Sequence, residues 1–294
     1  MKKFFFAALL LLSAPWQVSQ AADKPLQVVA SFSILGDMVK QIGGAAVQVT
    51  VLAGPNADMH TFQPTPEDAK ALANADLIAI NGLGLDHWMQ RLFEASGTHA
   101  KLLVASMGVK PRLLGEGDHA LADPHAWQDL ANGRLYVRNI AGALMEALPA
   151  QATAISERAA RYDAELKKMD AYVREQFADI PPEKRKIITS HDAFGYFGTA
   201  YGVTFLSPLG MDTGGGASAI TVAKLIEQIK AEGVKEVFIE NMTDPRLMEQ
   251  IAHDSGVRMG GELYSDALSP PNGPAPTYLD MFRANVPKLR DAME

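Results

Sequence analysis

Short apolar runs alternate with helical patterns along most of this chain. The apolar runs have the length of buried strands and fall at 26–32, 47–53, 76–81 and 101–106, and then at 185–189, 203–206, 235–240 and 257–264. Apolar positions with helical spacing fall at 64–73, 85–96, 218–231, 245–255 and 277–292. Because strands that alternate with helices form βαβ units, the pattern predicts an α/β fold in two halves, each with a mainly parallel sheet flanked by helices.

One polar but periodic segment joins the two halves. Between Pro149 and Ala178 the apolar positions follow one face of a helix: Ile155, Ala159, Tyr162, Leu166, Met169, Val173 and Phe177. About thirty residues at about 1.5 Å each give about 45 Å, so we expect one long rigid connecting helix that lies along both halves. The predicted organisation is an N-terminal lobe over 22–148, a linking helix over 149–180 and a C-terminal lobe over 181–294.

The first residues have the pattern of an export signal. Lys2 and Lys3 precede an apolar run from Phe4 to Leu12, and Ser19-Gln20-Ala21 supplies the small residues of a cleavage site. The apolar run is about nine residues long, whereas a membrane span needs about twenty. We therefore predict a signal peptide over 1–21, cleaved after Ala21, and a mature chain in the periplasm. The absence of cysteine excludes lipid attachment through cysteine, disulfides and thiolate metal sites.

Composition and charge narrow the function classes. Hydrophobic residues make up 48% and charged residues 21%, which is typical of a globular protein and excludes a wholly disordered chain. The formal net charge is −7 and no Lys/Arg-rich run occurs, so no nucleic-acid partner is expected. No HExxH or GxSxG motif is present, and no Gly-Lys-Ser/Thr follows Gly214-Gly215-Gly216. None of these motifs therefore indicates an enzyme.

Four residues in loops are the candidates for chemistry. His60, His191 and Asp266 each follow a predicted strand, and His125 lies in a loop just before a helix. Ligands bind at the edge where parallel strands end, and two residues come from each half, so the four side chains can converge in a cleft between lobes. Three imidazoles and one carboxylate form a tetrahedral set for a cation such as Zn²⁺. Taken singly, each histidine also fits an ordinary loop or capping residue.

The other histidines and one acidic residue have simpler interpretations. His87, His99 and His253 are expected to be solvated. His119, in the loop 115–119, either gives a metal a weak first contact or is an ordinary surface residue. Glu240, at the end of a predicted strand, is interpreted as a structural hydrogen-bond acceptor rather than as a support for a metal ligand.

Four motifs, in order along the chain, carry a family resemblance. They are His60-Thr61-Phe62-Gln63-Pro64-Thr65-Pro66, Asp123-Pro124-His125-Ala126-Trp127, Ser190-His191-Asp192-Ala193-Phe194-Gly195-Tyr196-Phe197 and Ser265-Asp266-Ala267-Leu268. With them, the whole mature chain resembles the metal-binding solute-binding proteins of ABC importers (cluster A-I, ZnuA- or TroA-like). The resemblance implies two α/β lobes bridged by a rigid helix, with one metal between the lobes. It assigns the metal ligands to His60, His125, His191 and Asp266.

The resemblance also implies a cargo and partners. Zinc-type relatives usually carry His at the position of His191, and manganese-type relatives usually carry Glu, although some relatives with three His accept both metals. We therefore expect a monomeric protein that captures Zn²⁺ and delivers it to a membrane permease and its ATPase subunits. A periplasmic zinc chaperone is a candidate further partner. Many zinc-type members have a long His-rich loop before the second ligand, but here that loop has only His119.

Three alternatives stay open from the sequence. A carrier of Mn²⁺ or Fe²⁺ would have the same fold and a similar site. A zinc hydrolase would need a coordination position open to water, whereas four protein ligands close the site. An adhesin or interaction protein would hold an incidental metal and would keep its partner affinity without it.

Overall fold

The computed structural model describes residues 24–114 and 120–294. The predicted signal peptide and the loop that contains His119 lie outside the described residues. Two parallel β-sheets and a long helix organise the part that is described. None of the helices in this part combines the length and the apolar character needed to cross a bilayer.

Four strands and four helices form the first half. The strands are β1 (Leu26–Phe32), β2 (Val47–Ala53), β3 (Leu77–Ile80) and β4 (Lys101–Val104), and the helices are α1 (Ser33–Gly43), α2 (Pro66–Ala73), α3 (Met89–Ser96) and α4 (Leu130–Ala147). The strands are parallel and lie in the order β2-β1-β3-β4. A short antiparallel hairpin, β5 (Leu113–Leu114) and β6 (Leu121–Ala122), comes between β4 and α4.

One helix, α5 (Ala152–Phe177), joins the two halves. Its buried residues are the seven apolar positions of the predicted stripe, so the periodicity identified both the helix and its buried face. Near its start, Arg158 donates to the main-chain oxygens of Ile42 and Gly43 at the end of α1. Near its end, Arg174 donates to the main-chain oxygen of Ala200 in the second half. The helix is therefore fixed to both halves.

The second half repeats the strand order of the first. Its strands are β7 (Lys186–Ile188), β8 (Thr204–Leu206), β9 (Glu236–Glu240) and β10 (Arg258–Leu263), and its helices are α6 (Gly195–Tyr201), α7 (Ala219–Glu232), α8 (Arg246–Ser255) and α9 (Tyr278–Met293). The strands are again parallel, in the order β10-β9-β7-β8. If β7, β8, β9 and β10 are matched to β1, β2, β3 and β4 in turn, the two sheets have the same strand order, read from opposite edges. Both lobes thus have the predicted architecture.

The largest apolar core extends through both halves. It runs from the first sheet past α5 to Phe197 and Phe282, whose stacked rings lie 6.2 Å apart. Tyr278, the first residue of α9, donates its hydroxyl proton to the main-chain oxygen of Trp127 and fills the space over Gly133. A smaller core lies between the second sheet and helices α7 and α8. Complete separation of the halves would therefore expose large buried aromatic side chains.

Candidate metal centre

The strand order of the second sheet brings His191 and Glu240 together. The connection that leaves β7 leads outwards to β8, whereas the next connection leads back to β9 on the other side of β7. Such a reversal leaves a crevice at the carboxyl ends of the two central strands, where parallel sheets bind ligands. His191 follows β7 and Glu240 is the last residue of β9, so both lie at this crevice.

The first sheet has the same reversal between β1 and β3. The loop that carries His125 is held at the crevice that this reversal leaves. Asn81 directly follows β3, and its Nδ2 donates to the main-chain oxygen of Pro124 at 2.9 Å. Tyr136 on α4 donates to Oδ1 of Asn81 at 2.6 Å, so the amide is fixed from both sides. These two bonds hold the loop of His125 over the edge of the sheet. His60 comes from the neighbouring loop between β2 and α2.

The four predicted side chains meet in one place. Ligand atoms of His60, His125, His191 and Asp266 all lie within 4.8 Å of one another. Nε2 of His60 lies 3.2 Å from Nε2 of His125 and 3.1 Å from Oδ2 of Asp266. Nε2 of His191 lies 3.1 Å from the same carboxylate oxygen. The predicted convergence of two residues from each half is therefore present in the structure.

The three imidazole rings form a nearly equilateral triangle. Their centroids lie 5.3 Å apart for His60 and His125, 5.4 Å for His60 and His191, and 5.3 Å for His125 and His191. Metal–nitrogen bonds of about 2.0–2.1 Å would put ring centroids about 5.2 Å apart in tetrahedral coordination, and about 4.5 Å apart on one face of an octahedron. The spacing of the rings matches the tetrahedral arrangement.

The centre is buried, and two of its histidines and its carboxylate shift the pKa values of one another. The side chains of His125, His191 and Asp266 have no exposed surface, while 8% of the side chain of His60 is exposed. Burial disfavours a charged imidazole, but the carboxylates of Asp266 and Asp123 outweigh it and raise the pKa of His125 to about 9. The pKa of His191 is also raised, because Glu240 and Asp266 outweigh its burial. Burial opposes ionisation of Asp266, yet the two histidines hold its pKa well below the usual range.

Two further carboxylates orient the predicted ligands. Oδ1 of Asp123 lies 2.8 Å from Nδ1 of His125 and also accepts the main-chain N–H of His125 at 3.0 Å. Oε2 of Glu240 lies 2.6 Å from Nδ1 of His191, and Oε1 accepts the main-chain N–H of His191 at 2.9 Å. A carboxylate beside Nδ1 favours the proton on that nitrogen, which leaves the Nε2 lone pair free for a metal.

The interpretation of Glu240 as a structural acceptor is therefore incomplete. Glu240 accepts a main-chain N–H, but it also contacts the ring of a predicted ligand. The role of Asp123 was missed altogether, although its position two residues before His125 is a local signal that could have indicated it. No comparable signal connects Glu240 with His191, because 49 residues separate them.

The remaining histidines in the described residues lie outside this centre. His87 and His99 are exposed, as predicted. His253 is also exposed, and its Nδ1 lies 3.0 Å from Oδ1 of Asp254. Met59, beside His60, is fully buried in the apolar core.

One carboxylate oxygen of Asp266 has no hydrogen-bond partner among the described residues. This oxygen, Oδ1, is buried. This atom lies 3.7 Å from Nε2 of His125, compared with 3.1 Å between Oδ2 and the other two histidines. An unpaired buried carboxylate oxygen is costly unless something satisfies it, so the atom can serve as a further metal contact.

Comparison with known families and curated proteins gives a consistent result. A family model described as "Zinc-uptake complex component A periplasmic" matches residues 28–292. The iron-binding protein YfeA of Yersinia pestis is 34% identical over 266 residues, which cover 90% of this chain and 85% of that protein. The manganese-binding lipoprotein MntA of Halalkalibacterium halodurans is 33% identical over 261 residues, which cover 89% and 86%.

Solved structures with the same fold include proteins described with different metals. The periplasmic zinc-binding protein TroA of Treponema pallidum is 32% identical, with a TM-score of 0.86 and coverage of 92% of this chain and 99% of that one. The Mn-bound periplasmic metal-binding protein from Candidatus Liberibacter asiaticus is also 32% identical, with a TM-score of 0.82 and coverage of 92% and 100%.

Proposed function

The chain belongs to the zinc-uptake component A family of periplasmic solute-binding proteins, and from this premise we propose that it captures Zn²⁺ between its lobes for an ABC importer. Membership makes it a metal-binding component of such an importer, with a permease and an ATPase as partners, and not an enzyme. The proposal adds that the cargo is zinc and that His60, His125, His191 and Asp266 are its ligands.

The donor set carries the proposal for zinc. Three imidazole nitrogens and one carboxylate oxygen suit a borderline cation, whereas manganese favours sites with more oxygen ligands. The tetrahedral spacing of the three rings supports the same choice, since zinc in closed protein sites is almost always tetrahedral. A centre closed by four protein ligands suits storage of a metal during transport, because hydrolysis requires a position for water.

A carrier of Mn²⁺ or Fe²⁺ is the second candidate, and two observations favour it. Oδ1 of Asp266 has no hydrogen-bond partner in the described part of the chain and can add a second oxygen to the coordination shell. Two of the relatives described above are named for manganese and iron. A bidentate carboxylate raises the coordination number above four, which a hard cation accepts more readily than zinc does.

Capture exchanges protons for the metal. In the metal-free centre His125 and His191 hold protons beside the carboxylates, as their raised pKa values indicate. A metal binds only deprotonated nitrogen, so binding at neutral pH releases protons into solution. Release to the permease requires that the two pairs of ligands separate, because each half supplies two of them. We propose that loop movements of small amplitude achieve this, since the halves share a core.

Metal analysis of the purified protein tests the proposal. The protein is expressed without an affinity tag that binds metal, and its bound metals are measured by mass spectrometry. Competition between Zn²⁺ and Mn²⁺ follows, and crystals soaked with zinc are measured at the zinc absorption edge. We expect one zinc per chain and an anomalous peak between the four side chains. Predominant manganese or iron in the protein as isolated, retained against equimolar zinc, would overturn the choice of zinc.

A further inference from the structure

We propose that Arg112 is a positioning residue that ties the metal-ligand loops of the two lobes together and thereby slows the escape of the metal. The proposal rests on the proposed function, because it concerns the retention of the cargo. Arg112 is not one of the four predicted ligands, and its side chain forms ion pairs with Asp123 and Asp192 instead. Its guanidinium lies between the loop of His125 in the first half and the loop of His191 in the second.

The first contact of Arg112 acts on His125. Nη1 of Arg112 donates to Oδ2 of Asp123 at 2.6 Å, and Oδ1 of the same carboxylate lies 2.8 Å from Nδ1 of His125. Asp123 is fully buried, so its orientation depends on these neighbours. A charge-assisted hydrogen bond of this length is strong and directional. Arg112 therefore fixes the carboxylate that fixes the imidazole.

The second contact of Arg112 reaches the other lobe. Nη1 lies 3.6 Å from Oδ1 of Asp192, the residue after His191. The main-chain N–H of Arg112 donates to the hydroxyl of Tyr196 at 2.9 Å, and that hydroxyl donates to the main-chain oxygen of Asp123 at 3.0 Å. One arginine thus connects the residue beside one ligand with the residue that orients another.

A glycine makes room for the guanidinium. A Cβ added to Gly195 would lie 2.0 Å from Nη1 and 2.2 Å from Cζ of Arg112, which no real structure tolerates. Gly195 begins α6 and its backbone does not adopt a left-handed conformation, so alanine is compatible with its backbone. The glycine is needed here for space alone. Replacing it displaces the arginine side chain without removing its charge.

These contacts predict an effect on the rate at which metal leaves. The closed centre needs both loops in place, and the arginine stabilises that closed arrangement without touching the metal. Removing residues that orient metal-bound histidines typically costs about 10- to 100-fold in metal affinity. We expect zinc dissociation to become faster by about this factor, with little change in the association rate, since the ligands themselves remain.

The first experiment replaces Arg112→Ala and follows zinc loss from the loaded full-length protein into an excess of a chromogenic zinc chelator. Arg134→Ala is the matched control, because Arg134 makes a two-pronged ion pair with Asp163 between α4 and α5, away from the centre. We expect at least roughly tenfold faster zinc loss for Arg112→Ala and an unchanged rate for the control. The melting temperature of each metal-free variant confirms that it folds.

The second experiment uses the glycine. Gly195→Ala is compared with Gly142→Ala, since a Cβ at Gly142 on α4 meets nothing within 4 Å. We expect faster zinc loss only for Gly195→Ala. In the double variant with Arg112→Ala, the alanine at position 195 should add no further acceleration, because the side chain that it displaces is already absent.

The outcomes separate this inference from the function. If wild-type protein binds no zinc, the proposed cargo is wrong. If wild-type protein binds zinc and both single variants release it at the wild-type rate, the role of Arg112 is refuted. If the increases in the rate of zinc loss multiply in the double variant, the role of Arg112 is also contradicted, because the two substitutions would then act through separate contacts.

Discussion

Raising the pH is expected to destabilise the metal-free protein. The pKa of His125 is raised from its ordinary value of 6.5 to about 9 in the folded chain, although burial alone would lower it. A group with a raised pKa contributes stability that is complete below about pH 6.5 and is lost as the pH rises through about 9. A difference of about 2.5 pKa units corresponds to about 3 kcal/mol of unfolding free energy.

The other groups of the centre with shifted pKa values act in the same direction or stay constant over this interval. The pKa of His191 is raised by Glu240 and Asp266 after its burial is outweighed, so its proton adds to the loss of stability at high pH. The pKa values of Asp266 and Asp123 are lowered, so both carboxylates stay ionised from about pH 6.5 to about 9. Their contribution is lost only under strongly acidic conditions.

Urea denaturation of the metal-free protein at about pH 6.5, 7.5 and 9 measures this effect. We expect the unfolding free energy to fall by about 3 kcal/mol or more from the lowest to the highest of these values. Zinc-loaded protein should show no such fall, because the metal replaces the protons. The His125→Asn variant should lose part of the dependence. If the unfolding free energy of the metal-free wild-type protein stays constant or rises over this interval, the protons on His125 and His191 do not stabilise the metal-free centre, and the reasoning is refuted.

Four further outcomes are expected. His125→Ala should weaken zinc binding by several kcal/mol in a competition titration, while His253→Ala, an exposed residue beside Asp254, should leave it unchanged; a large loss for the second variant would mean that the histidines are sorted wrongly. His191→Glu should shift the preference towards manganese in a two-metal competition, and unchanged selectivity would contradict the donor-set argument. Glu240→Gln should weaken zinc binding about 10- to 100-fold without altering the fold seen by circular dichroism. Leu166→Ala, at a fully buried position of α5, should cost about 2–5 kcal/mol in urea denaturation, and a loss under about 1 kcal/mol would show that the helix packs loosely.

The periodicity of apolar residues predicted the strands and the linking helix with nearly correct bounds. The bounds of β1 and β2 agree with the prediction to the residue, and the other six predicted strands differ by at most two residues at either end. The linking helix was expected over 149–180, but its first three residues form a 3₁₀ turn. The predicted face of this helix depended only on spacing, and spacing is preserved when the ends shift.

Helices α1 and α6 escaped prediction because nothing in the local sequence marks their start, whereas α4 was expected after His125 but without bounds. Helix α1 follows β1 without a break, and the residue before it, Phe32, makes no side-chain cap. Helix α6 has only seven residues and contains two glycines. Tertiary packing, rather than caps or propensity, decides such segments.

The candidate ligands could be identified from sequence, but the residues that orient them could not. His60, His125, His191 and Asp266 are imidazole or carboxylate residues in distinctive loop motifs. Glu240 shares no motif with His191, and only the strand order of the second sheet makes them neighbours. Arg112 contacts Asp192 in the other lobe across a long interval of sequence. Contacts of this kind follow from the three-dimensional assembly.

The hydrogen bonds of Arg158 and Arg174 fix α5 to both lobes, which limits how the protein can be made into a fluorescent metal sensor. A pair of fluorophores attached to opposite lobes would keep nearly the same separation whether or not the ion is present, so energy transfer would give little contrast. A single environment-sensitive dye at exposed Thr61, next to His60, would instead follow the local change directly.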